Sequence, residues 1–220
     1  MNEPAYNLSW KIASRHPLFI VMLGVGLVAN SFTLMKLPSF FQVLQNRQGV
    51  VLNDIVLERL PSVNLSIPIF VIIWCSAILT IVRCLQNPYI FILFVWSFLL
   101  LTWSRLLTLT YIPLDPPRNL VQLKDPLTNT FYGNLVVTKD LFYSGHTATQ
   151  FLMFLCLQKQ WDFIFALFCT ISIGIMVLVQ HVHYTVDVLA APLFTYIIFI
   201  TARFIVKKGL RALQQDNSTL

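Results

Sequence analysis

Charge is scarce in this chain. Lys, Arg, Asp and Glu make up 11% of its 220 residues, hydrophobic residues make up 57%, and the mean hydropathy is +0.73. A soluble domain carries roughly 25% charged residues, so an ordinary water-exposed globule is excluded and an integral membrane protein is expected. Internal repeats and low-complexity tracts are also missing, and the length suits a single domain over residues 1–220. Gly24 and Gly26 sit inside an apolar run and do not form a nucleotide-binding loop. The four cysteines (Cys75, Cys84, Cys156, Cys169) lie in apolar segments and read as small buried hydrophobes, not as disulfide partners or metal ligands.

What the chain has instead is long apolar runs. Crossing a bilayer takes about 20 apolar residues in sequence. Six segments qualify, at roughly 17–37, 65–85, 88–112, 143–160, 161–180 and 184–206. The fold class expected is therefore an all-α bundle of six transmembrane helices. The first segment follows Lys11, Arg15 and His16 without a small-residue cleavage site, so it reads as a retained span. Residues 38–64 mix apolar and polar positions, which predicts an interfacial helix between spans 1 and 2. The proline-bearing stretch 113–142 predicts an irregular loop. Asn30, inside the first span, predicts a helix–helix hydrogen bond.

Basic residues set the expected orientation. A cytoplasmic N-terminus puts Lys11, Arg15, Arg83, Lys159, Arg203, Lys207, Lys208 and Arg211 inside. Lys36, Arg47, Arg59, Arg118, Lys124 and Lys139 then lie outside. Eight against six favours cytoplasmic termini. The net charge of +6 reports topology and lipid headgroup contact, not nucleic-acid binding.

Two polar motifs interrupt the apolar pattern: Tyr143-Ser144-Gly145-His146-Thr147 and His183-Tyr184-Thr185-Val186-Asp187. Two spans separate them, so they share one membrane face whichever way the protein inserts, and Arg105 joins them there. On a helix the His183–Asp187 spacing stacks the side chains on one face, within hydrogen-bond reach. A carboxylate on one imidazole nitrogen leaves the other free as nucleophile or base. The plainer reading is an Asp-His pair capping the helix start.

Ser144, Gly145 and His146 open a helix, and a helix N-terminus offers free N–H groups and a positive dipole end to phosphate. Ser144 is a cap and hydroxyl donor, Gly145 permits close backbone approach, and His146 is placed as a general acid. Arg105 lies in an apolar run, where an unpaired arginine costs at least about 2.5 kcal/mol. Its expected partner is a substrate phosphate, Asp187 or Asp140; snorkelling to the interface is the alternative.

These motifs, from Asp140 to Thr147 and from His181 to Val188, resemble the sphingomyelin-synthase-related branch of the type 2 phosphatidic acid phosphatase superfamily. Arg105 with the following Thr-rich stretch, and Leu60-Pro61, are weaker matches. The resemblance implies that His183 attacks phosphorus, Asp187 positions it and His146 protonates the departing lipid alcohol. It also implies a phosphohistidine resolved by a lipid alcohol in synthases or by water in phosphatases, with no cofactor. The Lys-x6-Arg-Pro motif of ordinary lipid phosphatases is absent, and the arginine they place six residues before the second histidine is Val177 here. Both departures favour the synthase branch.

The expected function is thus transfer of a phosphocholine or phosphoethanolamine headgroup from a membrane phospholipid to ceramide or diacylglycerol, on the exoplasmic face. A quaternary ammonium needs an anionic or aromatic cradle. Asp140 and Tyr143 are the candidates, with Phe142, Tyr111 and Asp115 behind them. A lipid phosphatase is the first alternative; a non-catalytic lipid-binding or transport protein is the second. A metal site built on His146, His181, His183 and Asp187 is disfavoured, since His181 and His183 would not face each other on a helix.

Overall fold

The computed structural model describes residues 9–123 and 137–217. It is all-α, with seven helices among the described residues: α1 (Trp10–Ala13), α2 (Pro17–Gln45), α3 (Ser66–Gln86), α4 (Pro88–Tyr111), α5 (Gly145–Cys156), α6 (Gln160–Val179) and α7 (Thr185–Asn217). Pro17 and Pro88 occupy first-turn positions, where their missing N–H costs nothing. The Asn87 side chain caps α4 by accepting from Tyr89 N at 2.9 Å. Part of the expected 113–142 loop, residues 124–136, lies outside the described residues; the described remainder is irregular.

Five helices (α2, α3, α4, α6 and α7) are long and apolar enough to cross a membrane, which makes this a multi-pass membrane protein. Their outward faces are apolar, as lipid contact requires. Exposed aromatics mark the helix ends, with Tyr111 closing α4 at 78% exposure and Trp161 opening α6 at 80%. Asn30 Nδ2 donates to Val95 O at 3.0 Å and to Gly26 O at 2.8 Å, which supplies the expected α2–α4 hydrogen bond. Such a bond is worth about 0.6 kcal/mol in a bilayer. Small buried residues (Ala148 on α5, Ala191 and Ala202 on α7) belong to the main core and let backbones approach closely.

Two expectations are corrected. The interfacial helix in residues 38–64 is not formed. Instead α2 runs on through Pro38 to Gln45, and Phe41 and Leu44 bury against Leu109 of α4 with Val137 beside them. The apolar positions read as a membrane-surface face are thus used in helix packing. Beyond them only a 3-10 turn at Leu57–Arg59 is regular.

The fourth segment, expected over 143–160, is a helix of only 12 residues. At 1.5 Å per residue α5 is about 18 Å long, against a hydrocarbon core of about 30 Å. It begins two residues later than expected, at Gly145, and ends four residues earlier, at Cys156, where Leu157 leaves the helix; the late start follows from how the chain enters it. Residues 137–144 descend without regular structure until they reach the level of Arg105. That is six residues, or about 9 Å, short of the end of α4. Irregular backbone at such depth survives only where protein partners replace water. Here Gln45 Oε1 accepts from Lys139 N at 2.9 Å, and Thr108 Oγ1 donates to Phe142 O at 2.9 Å. The start of α5 is therefore sunk inside the bundle. At the opposite face, Arg83 at the end of α3 meets Asp162 in the first turn of α6 at 2.5 Å.

Candidate active site

The sunken helix start carries the first motif. Ser144 caps α5: its Oγ accepts from Thr147 N at 3.4 Å and donates to Thr147 Oγ1 at 3.1 Å. Ser144 N in turn donates to Asp187 O at 3.1 Å, tying the first motif to the second. The positive end of the helix dipole faces the same spot.

Arg105 lies over this helix start. Its Nε donates to Tyr143 O at 3.1 Å and its Nη2 forms an ion pair with Asp140. Of the three expected partners, the described structure supplies Asp140. A Cβ at Gly145 would stand 2.6 Å from the guanidinium carbon, so a larger residue there would push the end of the Arg105 side chain aside. Side-chain size is thus limited at the point where the cation covers the backbone.

The second motif differs in detail from its expected geometry. His183 precedes α7 instead of lying on it, so the i, i+4 pair is not stacked across a helical turn. Asp187, in the first turn, reaches back to the helix entrance: its Oδ2 accepts from Tyr184 N at 3.0 Å, in the manner of a capping box. The same oxygen stands 3.5 Å from His183 Nδ1, an ion-pair distance longer than a hydrogen bond. His183 is 1% exposed and Asp187 is fully buried. The His146 and His183 rings face each other with centroids 6.0 Å apart and planes at 64°.

His146, His183, Asp187, Ser144, Gly145, Arg105 and Asp140 thus come together at one depth. The aromatic headgroup candidates are differently placed. The Tyr143 ring is fully buried and stacks on Phe194 at 4.8 Å, while Tyr111 is exposed at the end of α4. Asp115 is taken up by Lys139 at 2.8 Å. That ion pair, with a further bond from Gly49 N, holds its carboxyl below the usual carboxylate range despite burial. Val177 is fully buried in an apolar cluster with Ile69, Ile173 and Val188.

His181, two residues before His183, is buried. It is 4% exposed, with Nδ1 3.1 Å from Arg118 O and Nε2 3.2 Å from Leu60 O. Among the described residues, no cluster of three or more His, Cys, Asp or Glu side chains is placed to hold a metal ion.

Sequence reasoning missed the hydrogen bonds that fasten the second motif to the rest of the chain. Gln180 Oε1 accepts from Leu65 N at 3.0 Å, and its Nε2 donates to Ser66 Oγ at 3.0 Å. Tyr184 Oη donates to Asp115 O at 2.8 Å and accepts from Leu52 N at 3.2 Å. Asp54 holds Thr185. None has a local signature; each is a polar residue whose partner lies more than 50 residues away.

No curated protein and no solved structure matches the chain. Residues 139–204, which carry His146, His183, Asp187 and the α5 N-terminus, match the family model described as PAP2 superfamily C-terminal, and members of that superfamily are generally lipid phosphatases and phosphotransferases.

Proposed function

We propose that the protein transfers a phospho-headgroup, phosphocholine or phosphoethanolamine, from a membrane phospholipid to a lipid alcohol such as ceramide or diacylglycerol. The observation that carries this reading is the pairing of His146 with His183, rings 6.0 Å apart, at a helix N-terminus sunk below the end of α4. His183 attacks phosphorus and Asp187 stabilises the imidazolium that forms. The bond from phosphorus to the donor glyceride oxygen breaks, and His146 protonates that oxygen. In the second half-reaction the acceptor hydroxyl gives its proton to His146 and its oxygen attacks phosphorus, releasing His183. Ser144, Gly145 and the α5 N–H groups cradle the phosphate, with Arg105 as the nearby cation.

Two features support transfer over hydrolysis. The site lies below the end of α4, with Ser144, His183 and Asp187 buried, where a lipid alcohol competes well with water. Arg105 already shares its charge with Asp140, which suits a phosphodiester of one negative charge better than a dianionic monoester. Asp140 also offers a carboxylate to a cationic headgroup, whereas the buried Tyr143 ring serves the core. In this reading α5 completes a sixth crossing, both termini are cytoplasmic, and the site faces the exoplasmic side. The test is the purified protein in liposomes of phosphatidylcholine or phosphatidylethanolamine, with and without ceramide or diacylglycerol. Headgroup appearing on the acceptor supports the reading; release of headgroup phosphate to water alone makes the protein a phosphatase.

A further inference from the structure

The loop from residue 46 to residue 65 is long, largely irregular and without an assigned role. Its focus is Asp54. Oδ2 accepts from Thr185 N at 2.6 Å and Oδ1 accepts from Thr185 Oγ1 at 2.9 Å. Oδ1 also accepts from Val56 N at 3.0 Å and Leu57 N at 3.2 Å, which folds the loop around the carboxylate. Four donors converge on one side chain, and only an ionised carboxylate offers enough lone pairs in those directions. Burial opposes the charge, but the bonds from Thr185, Leu57 and Val56 outweigh it and hold this carboxyl below its ordinary range.

Thr185 is the first residue of α7, two positions after His183. His183 itself has no hydrogen-bond partner for Nδ1 among the described residues and stands 3.5 Å from Asp187. Its placement is therefore set by its backbone neighbours. On the N-terminal side His181 is held between Leu60 O and Arg118 O; on the C-terminal side Thr185 is held by Asp54. Two of these anchors, Leu60 and Asp54, come from the same loop. A carboxylate at a helix N-terminus also complements the dipole.

We propose that Asp54 is a positioning residue for His183: by clamping Thr185 it fixes the entrance of α7 and so the line along which the imidazole meets phosphorus. This rests on the reading of His183 as the nucleophile. A misplacement of about 1 Å from such a clamp can lower turnover roughly 10²-fold.

The test compares the parent, Asp54→Asn, Thr185→Val and His183→Ala, each full length in the liposome assay, with hydrogen exchange over residues 183–188. Asp54→Asn replaces one acceptor with a donor that faces Thr185 N–H. It is expected to lower kcat by roughly 10²-fold, leave KM within about twofold, and speed exchange at 183–188 by roughly tenfold. Thr185→Val keeps one of the two Thr185 donors and should fall between. If the parent turns over, His183→Ala is silent and Asp54→Asn matches the parent, the positioning role is overturned while the reading of the site stands. A lowered melting temperature with unchanged kcat per folded protein overturns it equally. If the parent and His183→Ala are equally fast or equally silent, the reading of the site fails, and unchanged exchange at 183–188 in Asp54→Asn then refutes the clamp itself.

Discussion

Ser144 N donates to Asp187 O across 3.1 Å, so the cap residue of α5 is bonded to the backbone of the acid in the first turn of α7. One bond registers the two polar motifs against each other and sets the facing of His146 and His183. Because it uses main-chain atoms, it survives side-chain replacement at Asp187. Chemistry and scaffold can therefore be separated at that residue.

Asp187→Asn retains an oxygen acceptor for Tyr184 N and the bond from Ser144, but removes the charge opposite His183. Turnover is expected to fall roughly 10²–10⁴-fold with the fold intact. Steady-state rates in liposomes and a thermal melt check this; a variant as fast as the parent would show that the Asp187 charge plays no part.

Gly145→Ala places a methyl group 2.6 Å from the Arg105 guanidinium. The guanidinium must shift away from the helix start, which weakens its pairing with Asp140 and its bond to Tyr143 O. The expected result is at least a roughly tenfold loss in kcat/KM, about 1.4 kcal/mol of transition-state stabilisation. Donor-lipid titrations of the variant measure it.

Asp162→Asn removes the ion pair with Arg83 at the opposite face, where the side chains are 10–20% exposed. Charged hydrogen bonds of this kind contribute about 1.5–3 kcal/mol. Stability should fall by about that amount while turnover per folded protein stays unchanged, as paired melts and rates would show.

Much of the site was legible because chemistry-bearing residues are rare in an apolar chain. Counting spans put His146, His183 and Arg105 on one face, and Asn30 found its helix partner. The length of α5 was not legible: nothing in the composition of residues 143–144 or 157–160 sets its ends, yet the helix runs only from Gly145 to Cys156. The apolar pattern of residues 37–44 suits a membrane surface and a helix neighbour equally well, so Leu109 decided it. Asp54 was invisible because its partner Thr185 lies 131 residues away.

The central claim is that headgroup phosphorus passes through His183. The most direct measurement is a single turnover with phospholipid labelled at phosphorus, quenched in alkali to preserve phosphoramidates, with the labelled peptide mapped before and after ceramide or diacylglycerol is added. Label held on the His183 peptide and then passed to the acceptor lipid is the expected result. Label that never resides on His183, with product forming at the same rate in His183→Ala, would contradict the account.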